Sequence, residues 1–437
     1  MDKSKRRAQW GWYWYDFGNS AYAAVILLAV YAAYFQGTVV GGAEGTRLWG
    51  VSMGLAMLVV AFVSPVLGAI ADYSVAKKRF LLFFSVLSWT ATALLFFVQK
   101  GDVLTGMLFF ILAEIGYRGG QVFYNALLYD VANTAEMGRV SGNGWAFGSI
   151  GGIVCLLFIL PPIVISHSNV LVVRGSFAFT ALFFALATIP MFLWVKETRT
   201  PKSLPAGENY VSIAFKRIAS TFKSVRHFRE YVQFIVSFLI YNDGILMALG
   251  FASIIGRVLF GMTQTQLIIF MIIVQFTSAL GAYVFGIWGE KYGYKRALNW
   301  SILLMIFAVL GMIVNPSLTG YYFIGALAGF ALTGVQSLSR TMAGLFAPAS
   351  KSTEFFSFFA VAGKSSSFIG PTIYGLLAFS ATQFFTGQGV GATLAEQYGQ
   401  RASIATIAIF LIVGFLILTS VNEARARKAA LEYVAGD

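Results

Sequence analysis

Apolar residues run along this chain in long stretches that short polar segments interrupt. A stretch of roughly 20 predominantly apolar residues is long enough to cross a bilayer as an α-helix. Because twelve stretches meet this length, the pattern predicts an all-α integral membrane protein with twelve transmembrane helices. We number them spans 1 to 12, and they cover about 12–36, 48–71, 80–99, 103–131, 141–166, 174–195, 231–256, 265–288, 296–314, 320–342, 354–380 and 401–421.

The longest hydrophilic segment, 196–230, lies between the sixth and seventh spans. Its position predicts two six-helix bundles, over residues 1–195 and 231–437, joined by a connector. The second part of the connector, KRIASTFKSVRHFRE at 216–230, mixes bases with apolar residues. Two interpretations fit it: a basic amphipathic helix that lies along the membrane surface, or a solvated linker.

Lysine and arginine are distributed unequally between the two sets of loops. With the N-terminus in the cytoplasm, 24 of the 31 basic residues fall on the cytoplasmic side and five on the other. Cytoplasmic loops of membrane proteins carry an excess of positive charge. We therefore expect a multi-pass protein of the inner or plasma membrane with both termini and the connector in the cytoplasm. Trp10, Trp12, Trp14 and Tyr15 are then expected to form an aromatic belt at the interface.

The composition is typical of a protein whose solvent is lipid. Hydrophobic residues make up 58% of the chain and charged residues 11%, whereas soluble domains carry roughly 25% charged residues. The net charge of +13 does not indicate nucleic acid as a partner, because the bases lie in short loops and form no basic domain.

Several kinds of chemistry have no signature in the sequence. Cys155 is the single cysteine, which excludes an intramolecular disulfide and a thiolate metal cluster. His167 and His227 fall in loops and predict no metal site. A nucleotide-binding P-loop is missing, so ATP-driven transport by this chain is not expected. We expect neither an enzyme nor a bound cofactor.

One pattern occurs twice, once in each half of the chain. Residues 68–81 read GAIADYSVAKKRFL, and residues 286–298 read GIWGEKYGYKRAL. Each copy has a glycine, an acid four positions later and a basic cluster, and the acids Asp72 and Glu290 lie 218 positions apart. A repeat of half the chain length between apolar segments indicates a transporter that is built from two similar bundles.

Twelve spans in two sets of six, with this pattern after spans 2 and 8, resemble the major facilitator superfamily. The second copy matches the superfamily pattern more closely, since Val75 or Ala76 stands in the first copy where a glycine is usual. Four further motifs resemble the branch of vacuolar amino-acid effluxers and their bacterial relatives: WYWYDFGNSAY at 12–22, FYNALLYDVA at 123–132, SGNGWAFGSIGG at 141–152 and FFSFFAVAGKSSSFIGP at 355–371. The resemblance implies alternating access between two bundles and, provisionally, an amino-acid-like solute.

Ionisable side chains inside a span cost at least roughly 2.5–3.5 kcal/mol each on insertion scales and therefore need a reason. Span 4 carries Glu114, Arg118, Gln121 and Asn125 at spacings of 4, 3 and 4, which place them on one helical stripe. Glu114 and Arg118 are one turn apart and are expected to pair. Two interpretations are open: a buried pair that only orients span 4, or a part of the solute or proton pathway.

Polar residues in other spans complete the predicted solute site. Asp243 lies well inside span 7 beside Gly244, which loosens the helix locally. Lys364 in span 11 is surrounded by small residues, and it either faces a cavity or extends toward the cytoplasmic end. The candidates for solute binding are Asn19, Tyr22, Arg118, Gln121, Asn125, Trp145, Asp243, Gln336 and Lys364. Glu114 is the candidate proton carrier, with Asp243 as the alternative.

The acids of the repeated pattern have a different predicted role. The resemblance implies that Asp72 and Glu290 form charge contacts that close the cytoplasmic side in one state of the cycle. Arg139 and Arg340 are reasonable partners for them. These four residues would form a conformational gate and would not bind solute. The alternative is that they belong to solvated loops.

The sequence thus predicts a secondary active transporter, not an enzyme, that moves a small organic solute by alternating access. An amino acid or short peptide fits a cavity with both signs of charge, and coupling to protons is one option. A sugar, lipid or drug transporter of the same fold is the alternative. A non-transporting membrane receptor or assembly factor is an alternative from another class. The expected partners are the solute and membrane lipids, and we expect a monomer.

Overall fold

A computed structural model describes residues 3–74, 76–133, 136–198, 207–348 and 351–433. Within these ranges the chain is almost entirely helical. The α-helices are α1 (Lys3–Tyr22), α2 (Tyr31–Tyr34), α3 (Gly42–Tyr73), α4 (Lys77–Leu94), α5 (Val103–Val131), α6 (Met137–Ile165), α7 (Val170–Trp194), α8 (Tyr210–Val225), α9 (Arg229–Phe260), α10 (Gln264–Tyr292), α11 (Tyr294–Val314), α12 (Leu318–Leu345), α13 (Ser352–Ser365), α14 (Ile369–Gly387), α15 (Ala392–Ser420) and α16 (Glu423–Glu432).

Twelve helical segments of the described residues are long and apolar enough to cross a membrane, which confirms the predicted number of spans. Span 1 comprises α1 and α2 together with two π-helical segments, Ala23–Ala29 and Phe35–Val40. Spans 2 to 6 are α3 to α7, with the short 3-10 segment Leu95–Phe97 at the end of span 3, and spans 7 to 10 are α9 to α12. Span 11 contains α14, and span 12 is α15. Helices α8 and α16 lie outside the spans.

Capping residues and a glycine mark several boundaries of the spans. The side chains of Asn169 and Ser317 accept hydrogen bonds from N–H groups in the first turns of α7 and α12 at 2.9 and 3.0 Å. Gly293 has a φ of 96° in the turn before α11, a conformation that a side chain would disfavour. Local chemistry therefore starts these three helices within a few residues of the boundaries that hydropathy predicts.

The described chain forms two compact units. The first unit contains Met1–Ala214 together with Phe251–Arg257 and Gly261–Ile272. The second unit contains Phe215–Gly250, Val258–Phe260 and Ile273–Asp437. Most of the end of span 7 and the start of span 8 therefore belong to the first unit.

The core of the first unit is rich in aromatic side chains. Trp12 stacks on Tyr124 with ring centroids 4.3 Å apart, and its Nε1 donates to the backbone oxygen of Tyr124 at 3.0 Å. Tyr15 shares a hydrogen bond of 2.9 Å with Ser85. Since Trp12 and Tyr15 are only 2% and 1% exposed, the predicted aromatic belt is wrong for these two residues. They hold span 1 against spans 3 and 4.

The repeated basic pattern makes the same structural contact in each unit. In the first unit, Lys78 Nζ donates to the backbone oxygens of Phe192 and Val195 at 2.9 and 2.6 Å. In the second unit, Lys295 Nζ donates to those of Thr419 and Val421 at 3.0 and 2.5 Å. The last carbonyls of a helix have no partner within the helix. Lys78 at the start of span 3 therefore supplies donors for the last carbonyls of span 6. Lys295 at the start of span 9 does the same for span 12.

Each unit has an acid two residues after the last of these carbonyls, and the two acids make different contacts. Glu197, two residues after Val195, accepts hydrogen bonds from the N–H groups of Lys77 and Lys78 at 3.1 and 3.0 Å. It thus caps the start of α4 from a distant part of the chain. Glu423, two residues after Val421, instead pairs with Arg427 at 2.6 Å within α16.

Candidate functional site

Span 4 carries the predicted ion pair in the interior of the first unit. Glu114 is 1% exposed, and Arg118 Nε donates to Glu114 Oε1 at 2.7 Å. The pair forms between residues one turn apart on the same helix, as their spacing predicts. The Arg118 side chain as a whole retains 24% exposure.

Side-chain oxygens on spans 1 and 4 that form no hydrogen bond of ordinary geometry in the described part of the chain include Asn19 Oδ1, Tyr22 OH and Glu114 Oε2. Asn19 and Tyr22 are 2% and 0% exposed, and their spacing places them on one face of span 1. The Tyr22 ring lies 4.7 Å from that of Tyr117, and its hydroxyl faces the Glu114 carboxylate, which is its nearest charged neighbour for an interaction of hydrogen-bond type. Because a buried polar atom without a partner destabilises the fold, these oxygens indicate a place for a ligand.

The buried cluster of Asn19, Tyr22, Glu114 and Arg118 combines an acid, a base and neutral oxygens. A free carboxylate oxygen accepts hydrogen bonds from an ammonium group, and a guanidinium carries five donors in a fork that matches a carboxylate. One of these donors is used by Glu114 Oε1. The cluster can therefore interact with a small solute that carries an amine, a carboxylate or both.

Span 1 changes its helical geometry directly after Tyr22. The π-helical segment Ala23–Ala29 begins at the next residue, and the N–H of Val30 donates to Val25 O, five residues back. Isolated π turns are rare and occur frequently at functional sites. The residues AAVILLA carry no signal that separates a π-helix from an α-helix, so the sequence does not predict this feature.

Asp243 is the buried acid of the second unit. It is 2% exposed, and its Oδ1 accepts a hydrogen bond from Ser366 Oγ at 3.1 Å. Gly370 packs close to the backbone oxygen of Asp243. Spans 7 and 11 thus meet around this acid within the second unit, whereas Gln336 and Lys364 are partly exposed.

Other predicted site residues are not part of the buried cluster. Gln121 is half-buried one turn beyond Arg118, Asn125 is exposed, and Trp145 is 42% exposed. Asp72, Glu290, Arg139 and Arg340 have exposed side chains, as expected of residues at the ends of spans. The described residues contain no group of three or more His, Cys, Asp and Glu side chains that could hold a metal ion.

The loop between spans 4 and 5 carries an ion pair that sequence reasoning missed. Lys5 Nζ lies 2.6 Å from Glu136 Oε2, and the Arg139 guanidinium lies 4.0 Å from the same carboxylate. The hydrogen bond from Lys5 lowers the pKa of Glu136 below its ordinary value. Arg139 therefore has a neighbouring acid three residues before it, whereas the contact from Lys5 joins positions that no helical spacing relates.

Comparison with known families decides the classification. The sequence pattern of the family described as vacuole effluxer Atg22 like matches residues 49–137 and 128–431, which is most of the chain. The chain belongs to this family. The narrower resemblance that the four sequence motifs indicate is thereby confirmed.

Curated relatives include a bacterial and several fungal proteins. The uncharacterized MFS-type transporter YxiO of Bacillus subtilis is 28% identical over 97% of this chain and 96% of its own length. Autophagy-related protein 22-1 of Aspergillus niger is 22% identical over 67% of this chain. The matched region spans about half of that fungal relative, 48% of its length.

Solved structures with the same fold are transporters. A bacterial homologue of the human lysosomal transporter Spinster matches with a TM-score of 0.76 at 14% identity and covers 100% of both chains. A mutant of the nucleoside transporter NupG matches with a TM-score of 0.71 at 13% identity, over 96% of this chain and 100% of that one. This Atg22-like protein is therefore a multi-pass membrane transporter with the major facilitator fold.

The unpartnered hydroxyl of Tyr22 gives a direct test of the buried cluster. Tyr22→Phe removes a buried hydroxyl that faces Glu114 without a hydrogen bond of ordinary geometry, so thermal stability of the purified protein should change little. Solute exchange by the same variant should weaken about tenfold, as expected for the loss of one hydrogen bond to a ligand. Thermal unfolding and exchange in proteoliposomes measure the two effects.

The matched control is Tyr31→Phe in the same span. The Tyr31 hydroxyl donates to Gly106 O at 2.8 Å, and its loss should destabilise the protein by about 1 kcal/mol. If Tyr22→Phe is equally destabilising and leaves exchange unchanged, the Tyr22 hydroxyl has a structural role and the cluster is not the solute site.

Proposed function

We propose that this protein is a secondary active transporter of an amino acid or a short peptide. The buried cluster carries the proposal, because it places an acid, a base and unpartnered oxygens together within one unit. A zwitterionic solute requires both signs of charge, whereas a sugar requires mainly neutral donors and acceptors. The description of the family as vacuole effluxers supports transport, and the motif resemblance to amino-acid effluxers supports the solute class.

The ion pair also offers a way to couple the solute to a proton. A solute carboxylate that binds Arg118 would take this partner from Glu114. A carboxylate in an apolar interior is stable when it is paired or protonated, so Glu114 would then take up a proton. When the solute leaves, the pair would form again and the proton would be released. Asp243 in the second unit is the alternative carrier, because it is also a buried acid.

The acids of the repeated pattern are proposed to act on conformation. Asp72 and Glu290 end spans 2 and 8, and their side chains are exposed at the surface of their units. In this proposal they form charge contacts with Arg139 and Arg340 in one state of the transport cycle. Their position at the ends of spans, with exposed side chains, supports a role that is separate from solute binding.

Both termini and the connector are proposed to lie in the cytoplasm, with the protein in the inner or plasma membrane. The unequal distribution of basic residues supports this orientation. Helix α8 supports it further, because Val211, Phe215 and Phe222 are about half exposed on one stripe beside the exposed bases Lys216 and Lys223. Such a helix suits the surface of a negatively charged membrane leaflet.

Counterflow in proteoliposomes tests the solute class and the coupling together. The wild-type protein should exchange labelled amino acids, and Glu114→Gln should keep exchange at saturating solute, with weaker binding, because exchange moves no net proton. The variant should lose accumulation that a pH gradient drives, since glutamine cannot carry a proton.

Asp243→Asn is the comparison variant for the alternative carrier. Accumulation that survives in Glu114→Gln and is lost in Asp243→Asn would move the coupling role to Asp243. If uridine or glucose is exchanged and labelled amino acids are not, the proposed solute class is wrong.

Single cysteines in a Cys155→Ala background test the orientation. Ser220 and Lys100 are exposed residues on opposite sides of the membrane in the proposed topology. A membrane-impermeant thiol reagent should label Lys100→Cys in intact cells, and it should label Ser220→Cys only after the cells are opened. The reverse labelling would overturn the orientation.

Glu290→Gln tests the conformational role of the repeated acids. Maximal transport should fall several-fold, whereas KM for the solute should change by less than about twofold, because the acid lies at the end of span 8 with an exposed side chain. Initial rates over a range of solute concentrations separate the two effects. A large rise in KM at unchanged maximal rate would assign Glu290 to binding.

A further inference from the structure

The second half of span 1, residues 23–40, alternates between π-helix and α-helix. We call this segment the outer half of span 1. The N–H of Val30 donates to a carbonyl five residues back, that of Tyr34 to one four residues back, and that of Gly41 again to one five residues back. A π turn adds one residue to a turn and so rotates the residues on one side by about 100° relative to the other. The direction of Asn19 and Tyr22 relative to this outer half therefore depends on whether the π form persists.

Two side chains on either side of the turn between spans 7 and 8 donate to the backbone of span 1, one from the end of α9 and one from the start of α10. Gln264 Nε2 donates to Ala29 O at 2.8 Å, and Arg257 Nη1 donates to Ala33 O at 3.0 Å. Both donors and both acceptors belong to the first unit. The two carbonyls are one turn apart, and Ala29 is the last residue of the first π-helical segment.

Small residues on span 1 permit this close approach. Ala29 and Ala33 are fully buried, and Gly37 follows one turn later. A Cβ atom at Gly37 would overlap the Arg257 guanidinium. Gly261 shapes the turn that places the two donors, since its φ is 63° and its N–H donates to Arg257 O at 3.0 Å. The glycine of the turn and the small residues of span 1 thus both allow Arg257 and Gln264 to approach the backbone of span 1.

The opposite side of the same segment is held by tyrosines. The hydroxyl of Tyr31 donates to Gly106 O and that of Tyr34 donates to Val98 O, each at 2.8 Å. Spans 3 and 4 therefore fix one side of the outer half of span 1. On the other side, Arg257 and Gln264 reach main-chain oxygens directly.

We propose that Arg257 and Gln264 are positioning residues that hold the outer half of span 1 in its π form and thereby orient Asn19 and Tyr22. The physical reason is that Gln264 and Arg257 bond to the carbonyls of Ala29 and Ala33 in the positions that the π form gives them. A regular α-helix would rotate these two carbonyls away from the donors. The effect on span 1 is independent of the solute. The effect on Asn19 and Tyr22 rests on the proposed function.

Hydrogen–deuterium exchange of the purified full-length protein tests the effect on span 1. Gln264→Met keeps the shape of the side chain without its donors, Arg257→Met removes the guanidinium, and Gly37→Ala displaces it. Exchange of the amides in 23–40 should be roughly tenfold faster in each variant, as expected for the loss of one hydrogen bond. Arg257→Lys, which keeps one donor group, should show a smaller increase.

Two matched controls separate the contact from the substitution itself. Gln275 lies in the same helix as Gln264, and its Nε2 has no partner among the described residues, so Gln275→Met should leave exchange in 23–40 unchanged. Gly175 has open space around its Cβ position, so Gly175→Ala should do the same. Unchanged exchange in the three test variants, or an equal increase across all spans, would overturn the proposal.

Transport kinetics test the second half of the proposal. Gln264→Met should raise KM for labelled amino acids several-fold more than it lowers the maximal rate, because Tyr22 and Asn19 are misoriented. Faster amide exchange in 23–40 with unchanged KM would keep the role in span 1 and reject the link to the solute site. Failure of all amino-acid exchange in the wild type would instead reject the proposed function and leave the amide-exchange result standing.

Discussion

Lipid offers no hydrogen bonds, and this constraint governs the internal chemistry of the protein. Each backbone and charged group within a span has to find its partner inside the chain. Lys78 and Lys295 meet this requirement at the ends of spans 6 and 12, where helix carbonyls would otherwise lack partners. Glu114 and Arg118 meet it within one helix. The same requirement accounts for side chains that reach main-chain oxygens of span 1.

Some exceptions to this rule lie in the buried cluster of the first unit. Asn19 Oδ1, Tyr22 OH and Glu114 Oε2 are among the buried side-chain oxygens that form no hydrogen bond of ordinary geometry within the described residues. They adjoin the first π-helical segment, which is itself a departure from regular geometry. Two independent irregularities at one place are best explained by a region that is shaped for a ligand and not for maximal stability.

The internal repeat shows how one pattern serves two units with different details. The lysine contact is the same in both, so the basic cluster is partly structural and not only a marker of topology. The acids that follow differ in use, because the second unit adds helix α16 and Glu423 finds Arg427 there. The described residues next to Glu197 form no such helix, and Glu197 caps α4 instead. Equivalent sequence positions therefore do not carry equivalent contacts.

The sequence by itself determined the twelve spans, the family and the Glu114–Arg118 pair. Each of these depends on local information: the length of an apolar stretch is set by bilayer thickness, and a pair at i,i+4 is set by the helical repeat. Only the tertiary structure decided that Trp12 and Tyr15 are interior, that Lys5 pairs with Glu136, and that Arg257 and Gln264 reach span 1. These contacts join residues that are far apart in the chain, and their geometry follows from how helices pack. The π segments belong to the same class, because their own residues are ordinary helix formers and do not distinguish a π-helix from an α-helix.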